Sequence, residues 1–205
     1  MRWDRFFEDL EDQLASEWEA ERAALDTEAE RLRLSRVTLR ERLAALALVP
    51  DAEAEPVLDL ADGTILAGRV AACGLDWIAV EPTGPHAGAH IVPLAAVRSI
   101  GLAHVDLLRT ARPPATERRA RLADRMGLGF VLRDAARRRT AVTVHLLGDR
   151  ALSGTIDRAG ADHLDLALHE PRVPRRGSEL AGHRIVPFAA IARVRLEGRP
   201  DVAYG

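Results

Sequence analysis

Ile91-Val92-Pro93-Leu94-Ala95-Ala96-Val97 recurs 94 residues later as Ile185-Val186-Pro187-Phe188-Ala189-Ala190-Ile191. Working outward, Gly68, Gly74 and Asp76 recur as Gly154, Gly160 and Asp162 at an offset of 86, and Trp77-Ile78 matches His163-Leu164. The difference of eight residues is one insertion before the fourth strand of the second copy. Matching residues in one order mark an internal repeat. Around these landmarks apolar residues alternate with a period of two, which predicts strands. In the first copy they cover about 56–61, 64–72, 76–81, 90–93 and 96–101. In the second they cover about 141–147, 150–159, 162–169, 184–187 and 191–196. Five short strands in such a length suit a small, strongly bent barrel. Gly68 and Gly154 would permit a sharp bend in the second strand. Gly74 and Gly160 would turn the next hairpin, and Pro93 and Pro187 would end the fourth strand, since proline cannot donate to the ladder. Asp62-Gly63 reads as a two-residue hairpin turn with positive φ at both central positions.

Ahead of the first copy the period is helical. Phe7, Leu10, Leu14, Trp18, Leu25, Ala29, Leu32, Leu39, Leu43 and Leu46 follow steps of mostly three or four, so residues 4–48 read as amphipathic helix. Thr27-Glu28-Ala29-Glu30 and Thr38-Leu39-Arg40-Glu41 both read as capping boxes where a break can fall, and Pro50 ends the segment. An unbroken helix of that length would span about 68 Å. A small domain does not cover it, so part of the stripe is expected to pack on a partner or a second copy. A second helix over about 115–138 precedes the second copy, weakened in its middle by Gly127 and Gly129.

The chain has 205 residues, 47% of them apolar, which supports a packed core in one or two domains. Its net charge of −2 hides two opposed blocks. Residues 1–30 carry eleven acids and three arginines, a net of −8, while residues 109–139 carry ten arginines and three acids, a net of +7. Every basic residue is arginine, which removes the P-loop lysine, Schiff-base chemistry and lysine general bases. One cysteine, Cys73, excludes an internal disulfide. Met1-Arg2-Trp3-Asp4 leads into acids rather than an apolar run, and no stretch approaches the ~20 residues of a membrane span. A soluble, cytoplasmic protein is expected.

The segments Leu60-Ala61-Asp62-Gly63, Gly68, Gly74-Leu75-Asp76-Trp77-Ile78 and Ile91-Val92-Pro93-Leu94 resemble the Sm-like small-barrel fold. The wider layout, with Met1-Arg2-Trp3-Asp4 and Leu132-Arg133-Asp134-Ala135-Ala136-Arg137, resembles an uncharacterised actinobacterial family with tandem barrels of this kind, loosely labelled transcriptional regulators. The resemblance implies an α+β fold: a long N-terminal helix and two tandem five-stranded Sm-like barrels, each preceded by a helix. The implied organisation is 1–49 amphipathic helix, 50–108 first barrel, 109–139 basic linker and helix, 140–198 second barrel and 199–205 tail. Sm proteins contact RNA through an Asn and an Arg-Gly pair. This chain has no asparagine, and Ile-Val-Pro fills the second region, so those contacts do not carry over. No helix-turn-helix followed by a recognition helix is visible.

Candidate chemistry is sparse. His86 and His90 have a metal-like spacing but sit in a Gly/Pro loop with no cysteine nearby. Asp162-His163 and His169-Glu170 fall on and after one strand, where half-buried polar positions are ordinary. Asp76 and Asp162 read as turn residues that accept backbone N–H bonds. Gly-x-Ser-x-Gly is absent. No cofactor, metal or catalytic role is expected. The arginines carry more. Arg118, Arg119 and Arg121 lie on the second helix, Arg137, Arg138 and Arg139 end it, and Arg172, Arg175 and Arg176 fill the Pro-flanked insertion. Guanidinium groups bind phosphate bidentately. The nine together predict a regulatory module on an RNA or DNA phosphate backbone. The alternative is a protein–protein adaptor that docks or self-associates through residues 1–49 and pairs through barrel edges.

Overall fold

The computed structural model describes residues 2–48, 55–83, 88–112, 122–170 and 181–197. It is α+β. The long helix runs as α1 (Arg2–Ser35) and breaks before a short α2 (Leu39–Leu46). Thr38 makes the break. Its hydroxyl accepts from Glu41 N–H at 3.2 Å, and the Glu41 carboxylate accepts from Thr38 N–H at 2.7 Å, so two orphan donors are satisfied reciprocally. Thr27 does not interrupt α1, because its hydroxyl donates back to the Ala23 carbonyl at 2.7 Å instead of capping.

The first copy of the repeat contains β1 (Val57–Leu60), β2 (Ile65–Ala67), β3 (Arg69–Cys73), β4 (Trp77–Glu81), β5 (His90–Pro93) and β6 (Val97–Gly101). Next come α3 (His104–Ala111), which the sequence pattern did not reveal, a 3-10 turn over Leu122–Arg125, and α4 (Leu128–Arg137). Of the helix expected over 115–138, the described part is a 3-10 turn followed by regular α over Leu128–Arg137; residues 113–121 lie outside the described residues. The second copy contains β7 (Ala141–Leu146), β8 (Ala151–Ala159), β9 (His163–Leu168), β10 (Gly182–Pro187) and β11 (Ile191–Leu196).

The repeat holds at the level of individual strand pairs. Leu58 faces Ile100 as Val144 faces Val194. Val80 faces His90 as Leu166 faces Arg184. Even the irregularities match, with a register shift between Val70 and Ala72 in one copy and between Ile156 and Arg158 in the other. The fourth strand ends at Pro93 or Pro187, and the chain then turns through three 3-10 residues. Leu94 N–H donates to Asp76 O at 2.8 Å, and Phe188 N–H donates to Asp162 O at 2.7 Å.

The two expected barrels do not form. The strands make an open three-stranded sheet, β2-β1-β6, and an open eight-stranded sheet, β10-β9-β8-β7-β11-β5-β4-β3. The turn after each proline carries β6 to β1 and β11 to β7, but neither fifth strand also pairs with the fourth strand of its own copy, the contact that would close a barrel. The free side of β5 is taken by β11 of the other copy, with Val194 opposite Ile91 and Arg195 opposite His90. Gly68 further splits the second strand, leaving β2 on β1 and β3 on β4. A Cβ there would sit 2.5 Å from the Glu81 carbonyl oxygen, a clash only glycine avoids. In the second copy β8 runs unbroken through Gly154. The Asp62-Gly63 turn also departs from the two-residue reading. Leu60 N–H donates to Thr64 O at 2.9 Å around a three-residue loop, and only Gly63 has positive φ, +79°. Asp149 takes the corresponding left-handed position in the second copy, at +55°.

Two apolar cores flank this sheet. One gathers Leu43 and Leu46 of α2 with Leu58, Leu60, Leu66, Val70, Ile78, Val80 and Val92. The other gathers Leu128, Val131, Leu132 and Ala135 of α4 with Val142, Val144, Ile156, Leu164 and Leu166. Trp77, Ala79 and Ile91 of the first copy join this second core. β4 thus faces apolar layers on both sides, which is why Trp77, Ile78, Ala79 and Val80 run without polar alternation. Burying a side chain the size of Ile78 or Leu164 stabilises the fold by roughly 1.5–3 kcal/mol. The Gly74–Trp77 hairpin also grips the entry to α4. Leu75 N–H and the Trp77 indole both donate to Met126 O, at 3.0 and 2.8 Å, and Leu128 N–H donates to Asp76 Oδ1 at 2.7 Å. Asp76 is the backbone acceptor the sequence suggested, but for an N–H fifty-two residues away.

Candidate functional site at the junction of the two copies

Where β11 meets β5, one guanidinium organises the polar groups. Arg193 is on β11, His90 opens β5, His145 is on β7, and Asp62 and Thr64 belong to the β1–β2 turn. Arg193 Nε donates to Asp62 Oδ2 at 3.2 Å. One terminal nitrogen donates to Thr64 Oγ1 at 3.1 Å and to His145 Nδ1 at 3.1 Å. The other reaches His90 Nδ1 at 3.4 Å. Arginine only donates, so both imidazoles must present an unprotonated Nδ1 and carry their proton on Nε2.

Electrostatics agree with that assignment. Burial, then the Arg193 charge, then His145 hold His90 down to about 4. Burial and Arg193 also lower His145. For Asp62 burial acts upward, but the Thr64 hydrogen bonds and Arg193 outweigh it, so the carboxyl stays below its usual range. The side chain of Asp62 is only 4% exposed and that of Arg193 13%. An ion pair this deep in the protein commits both partners, because either one alone would be a buried charge. The cluster acts as a clamp: it ties the last strand of one copy to the first hairpin and the fourth strand of the other. Its imidazoles are neutral at pH 7 and are used as acceptors.

Of these five residues the sequence singled out two, His90 as half of a metal-like pair and Asp62 as a turn residue, and neither for this cluster, yet a signal existed. Each stands where the copies differ. The counterparts of Asp62, Thr64, His90, His145 and Arg193 are Gly148, Arg150, Arg184, Asp59 and Ser99. A junction used once leaves its mark as divergence between otherwise matching strands.

The arginines chosen from the sequence are not gathered into one surface by the described residues. Arg118, Arg119, Arg121, Arg172, Arg175 and Arg176 lie outside them. Arg137 and Arg138 both bind Asp134, at 2.5 and 2.8 Å, across i,i+3 and i,i+4 spacings at the end of α4. Burial pushes Asp134 up, but these two arginines hold its carboxyl below the usual range. Arg139 leaves the helix with φ of +52°. Of the histidine pair, His86 is outside the described residues and His90 belongs to the clamp. Among the described residues, no three His, Cys, Asp or Glu side chains converge as metal ligands, and no helix is long and apolar enough to cross a membrane. Cys73 is buried in the first core. Asp162 accepts from His163 at 2.8 Å at the surface, and His169 meets Thr155 at 2.7 Å inside the second copy.

Comparison with known proteins found no matching family model, no matching curated protein and no matching solved structure.

Proposed function

We propose that this chain is a non-catalytic protein-interaction adaptor whose docking arm is α1. One observation carries the reading: Gln13, Leu14 and every side chain from Ser16 to Arg36 are exposed. Leu14, Trp18, Leu25 and Leu32 are all on this bare stretch. At 100° per residue they fall within an arc of about 40°, a seam rather than scattered apolar positions. A helix without tertiary packing is marginal in water. The pairs Arg31–Glu28 and Arg33–Glu30 add only a few tenths of a kcal/mol each. α1 therefore draws its stability from an occupant of the seam.

Charge selects that occupant. α1 holds eleven acids and five arginines, a net of −6, so two parallel copies would repel. A helix with its own apolar stripe flanked by Arg or Lys fits better. The nucleic-acid reading has less support, because Arg137 and Arg138 are already paired by Asp134.

The test uses the full chain and a synthetic basic amphipathic helix as probe, followed by light scattering and tryptophan fluorescence. The wild type should bind with a blue shift from Trp18, and Leu25→Glu with Leu32→Glu should abolish it. Equal binding by the double variant would overturn the reading. Binding of mixed RNA and DNA that weakens steeply with salt, with no response to the helix, would overturn it in favour of phosphate contact.

A further inference from the structure

The hairpins that join β3 to β4 and β8 to β9 are built alike. In each a glycine N–H donates to the carbonyl three residues on, Gly74 to Trp77 O and Gly160 to His163 O, both at 2.8 Å. In each the ring stands over that glycine, so that a Cβ would lie 2.2 Å from Trp77 Nε1 or 2.7 Å from His163 Cε1. In each an arginine of the helix ahead of the copy donates to the glycine carbonyl. Arg40 of α2 reaches Gly74 O at 2.8 Å, and Arg133 of α4 reaches Gly160 O at 3.1 Å.

The first hairpin uses these parts to seat Asp124–Leu128. Arg40 goes on to donate to Asp124 O at 2.9 Å and lies 3.8 Å from the Asp124 carboxylate. Leu75 N–H donates to Met126 O, and Asp76 Oδ1 accepts from Leu128 N–H. Gly127, the N-cap of α4, has no side chain to cap with, so Asp76 caps the helix from across the hairpin. The hairpin and its arginine thus hold a carbonyl, the carbonyl two residues later, and the first N–H of a helix two residues after that. The second hairpin offers the same three groups to solvent. Arg133, Ala161 and Asp162 are all exposed. Among the described residues Arg133 donates only to Gly160 O, and Ala161 N–H donates to no backbone carbonyl. The Asp162 carboxylate, 89% exposed, accepts from no side chain but His163. The sheet face beside the hairpin follows the same division. Trp77, Ala79 and Ile91 are covered by the second core, while their counterparts His163 and Asp165 are half-buried and Ile185 is exposed.

We propose that the Gly160–His163 hairpin docks the start of a helix from a partner protein, in the way the first hairpin docks α4. This rests on the repeat and is independent of the α1 reading. The three contacts define the partner segment. It carries Asp or Glu to pair with Arg133, and a carbonyl two residues on for Ala161 N–H. A glycine N-cap follows, so that Asp162 supplies the missing cap and meets the positive end of the helix dipole. The order acid-x-x-Gly, then helix, meets these needs, as Asp124-Arg125-Met126-Gly127 does within the chain. The outer attachment is the weaker of the two. The Trp77 indole gives Met126 O a second donor, whereas His163 turns its Nδ1 to Asp162. α4 is also tethered to its site by the chain and a partner is not, so the partner exchanges.

The probe is a synthetic peptide with the sequence of residues 122–138, titrated into the isotope-labelled full chain and followed by NMR. A Leu25→Glu, Leu32→Glu background keeps α1 out of the reading. The Ala161 amide and the Arg133 side chain should shift, saturating with a Kd of about 1 mM or tighter, while the Leu75 amide, already engaged, stays in place. Asp162→Ala, at an exposed position, should weaken binding about tenfold with an unchanged circular dichroism spectrum. Asp124→Asn in the peptide alone should also weaken it, which reads the Arg133 contact without altering the protein. No shift at Ala161 up to about 2 mM peptide, a shift at Leu75 in its place, or equal binding by Asp162→Ala and by the peptide variant overturns the proposal.

Discussion

Replacing Arg193 with methionine isolates the clamp, because methionine keeps much of the length and removes every donor. Four partners lose their hydrogen bonds: Asp62, Thr64, His145 and His90. The dominant cost is the Asp62 carboxylate, 4% exposed and left without its counter-charge. Breaking a buried pair from one side costs about 3–5 kcal/mol. Asp62 keeps the Thr64 N–H bond at 3.0 Å, and the two histidines are relieved of a neighbouring charge. The lower end, about 3 kcal/mol, is therefore expected. Urea unfolding read by tryptophan fluorescence measures it, with the slope checked for change. Adding Asp62→Ala to Arg193→Met should cost much less than the sum of the two single changes, because the stranded charge is gone, and the coupling should exceed about 1.5 kcal/mol. Arg193→Lys should not rescue, since a point charge cannot serve four acceptors on three sides. A cost for Arg193→Met below about 1 kcal/mol, or additivity of the two changes, would show that the ion pair is an incidental contact.

Acid should loosen the same junction. His90 lies near 4 in the folded chain, below its ordinary 6.5, so the unfolded chain takes up the proton first. Stability is then complete above about pH 6.5 and declines between there and pH 4, by up to about 3 kcal/mol. His90→Gln should flatten that part of a stability–pH curve measured by urea titration, and an unchanged slope would sink the assignment. Asp62 acts in a separate window, because its lowered carboxyl contributes above about 3.8 and is lost only as pH falls further. Gly154→Ala should destabilise by about 2–3 kcal/mol, because the new Cβ would sit 2.0 Å from the Ala167 carbonyl oxygen. Gly148→Ala, with nothing within 4 Å, should stay within about 0.5 kcal/mol in the same thermal melt.

The repeat could be read from the sequence because it rests on local needs. Gly68 and Gly154 lie against a neighbouring carbonyl, Gly74 and Gly160 lie under the ring three residues on, and both prolines end a strand. Such constraints act over a few residues and leave the same mark in each copy. The barrel expectation failed because closure is a long-range choice. Ile91-Val92-Pro93 does not show that β5 goes unmatched by its own fifth strand, although the pairing of the two copies through their edge strands that the sequence led us to expect does form, as β5 on β11. The clamp was missed for a related reason. Asp62 and Arg193 are 131 residues apart and meet only because of that choice. α3 was missed because it is only eight residues long, about two turns, too short for its apolar residues to establish a helical period in the sequence. Its anchor is polar: Arg42 of α2 donates to Leu107 O at 2.9 Å and to Thr110 Oγ1.

The position of β11 in the sheet has a consequence for how the chain is made. It is the last described strand in sequence, yet it stands between β7 and β5, in the interior of the eight-strand order. During synthesis β5 emerges early and waits with its edge bare until about a hundred further residues have left the ribosome. Such an unfinished edge invites pairing with whatever strand is nearby. A chain interrupted before Ile191 would leave two separate half-sheets, each exposing one. Completion therefore happens at the seam and in one late step, and a chaperone acting on this protein would have most to shield just before Ile191–Leu196 appears.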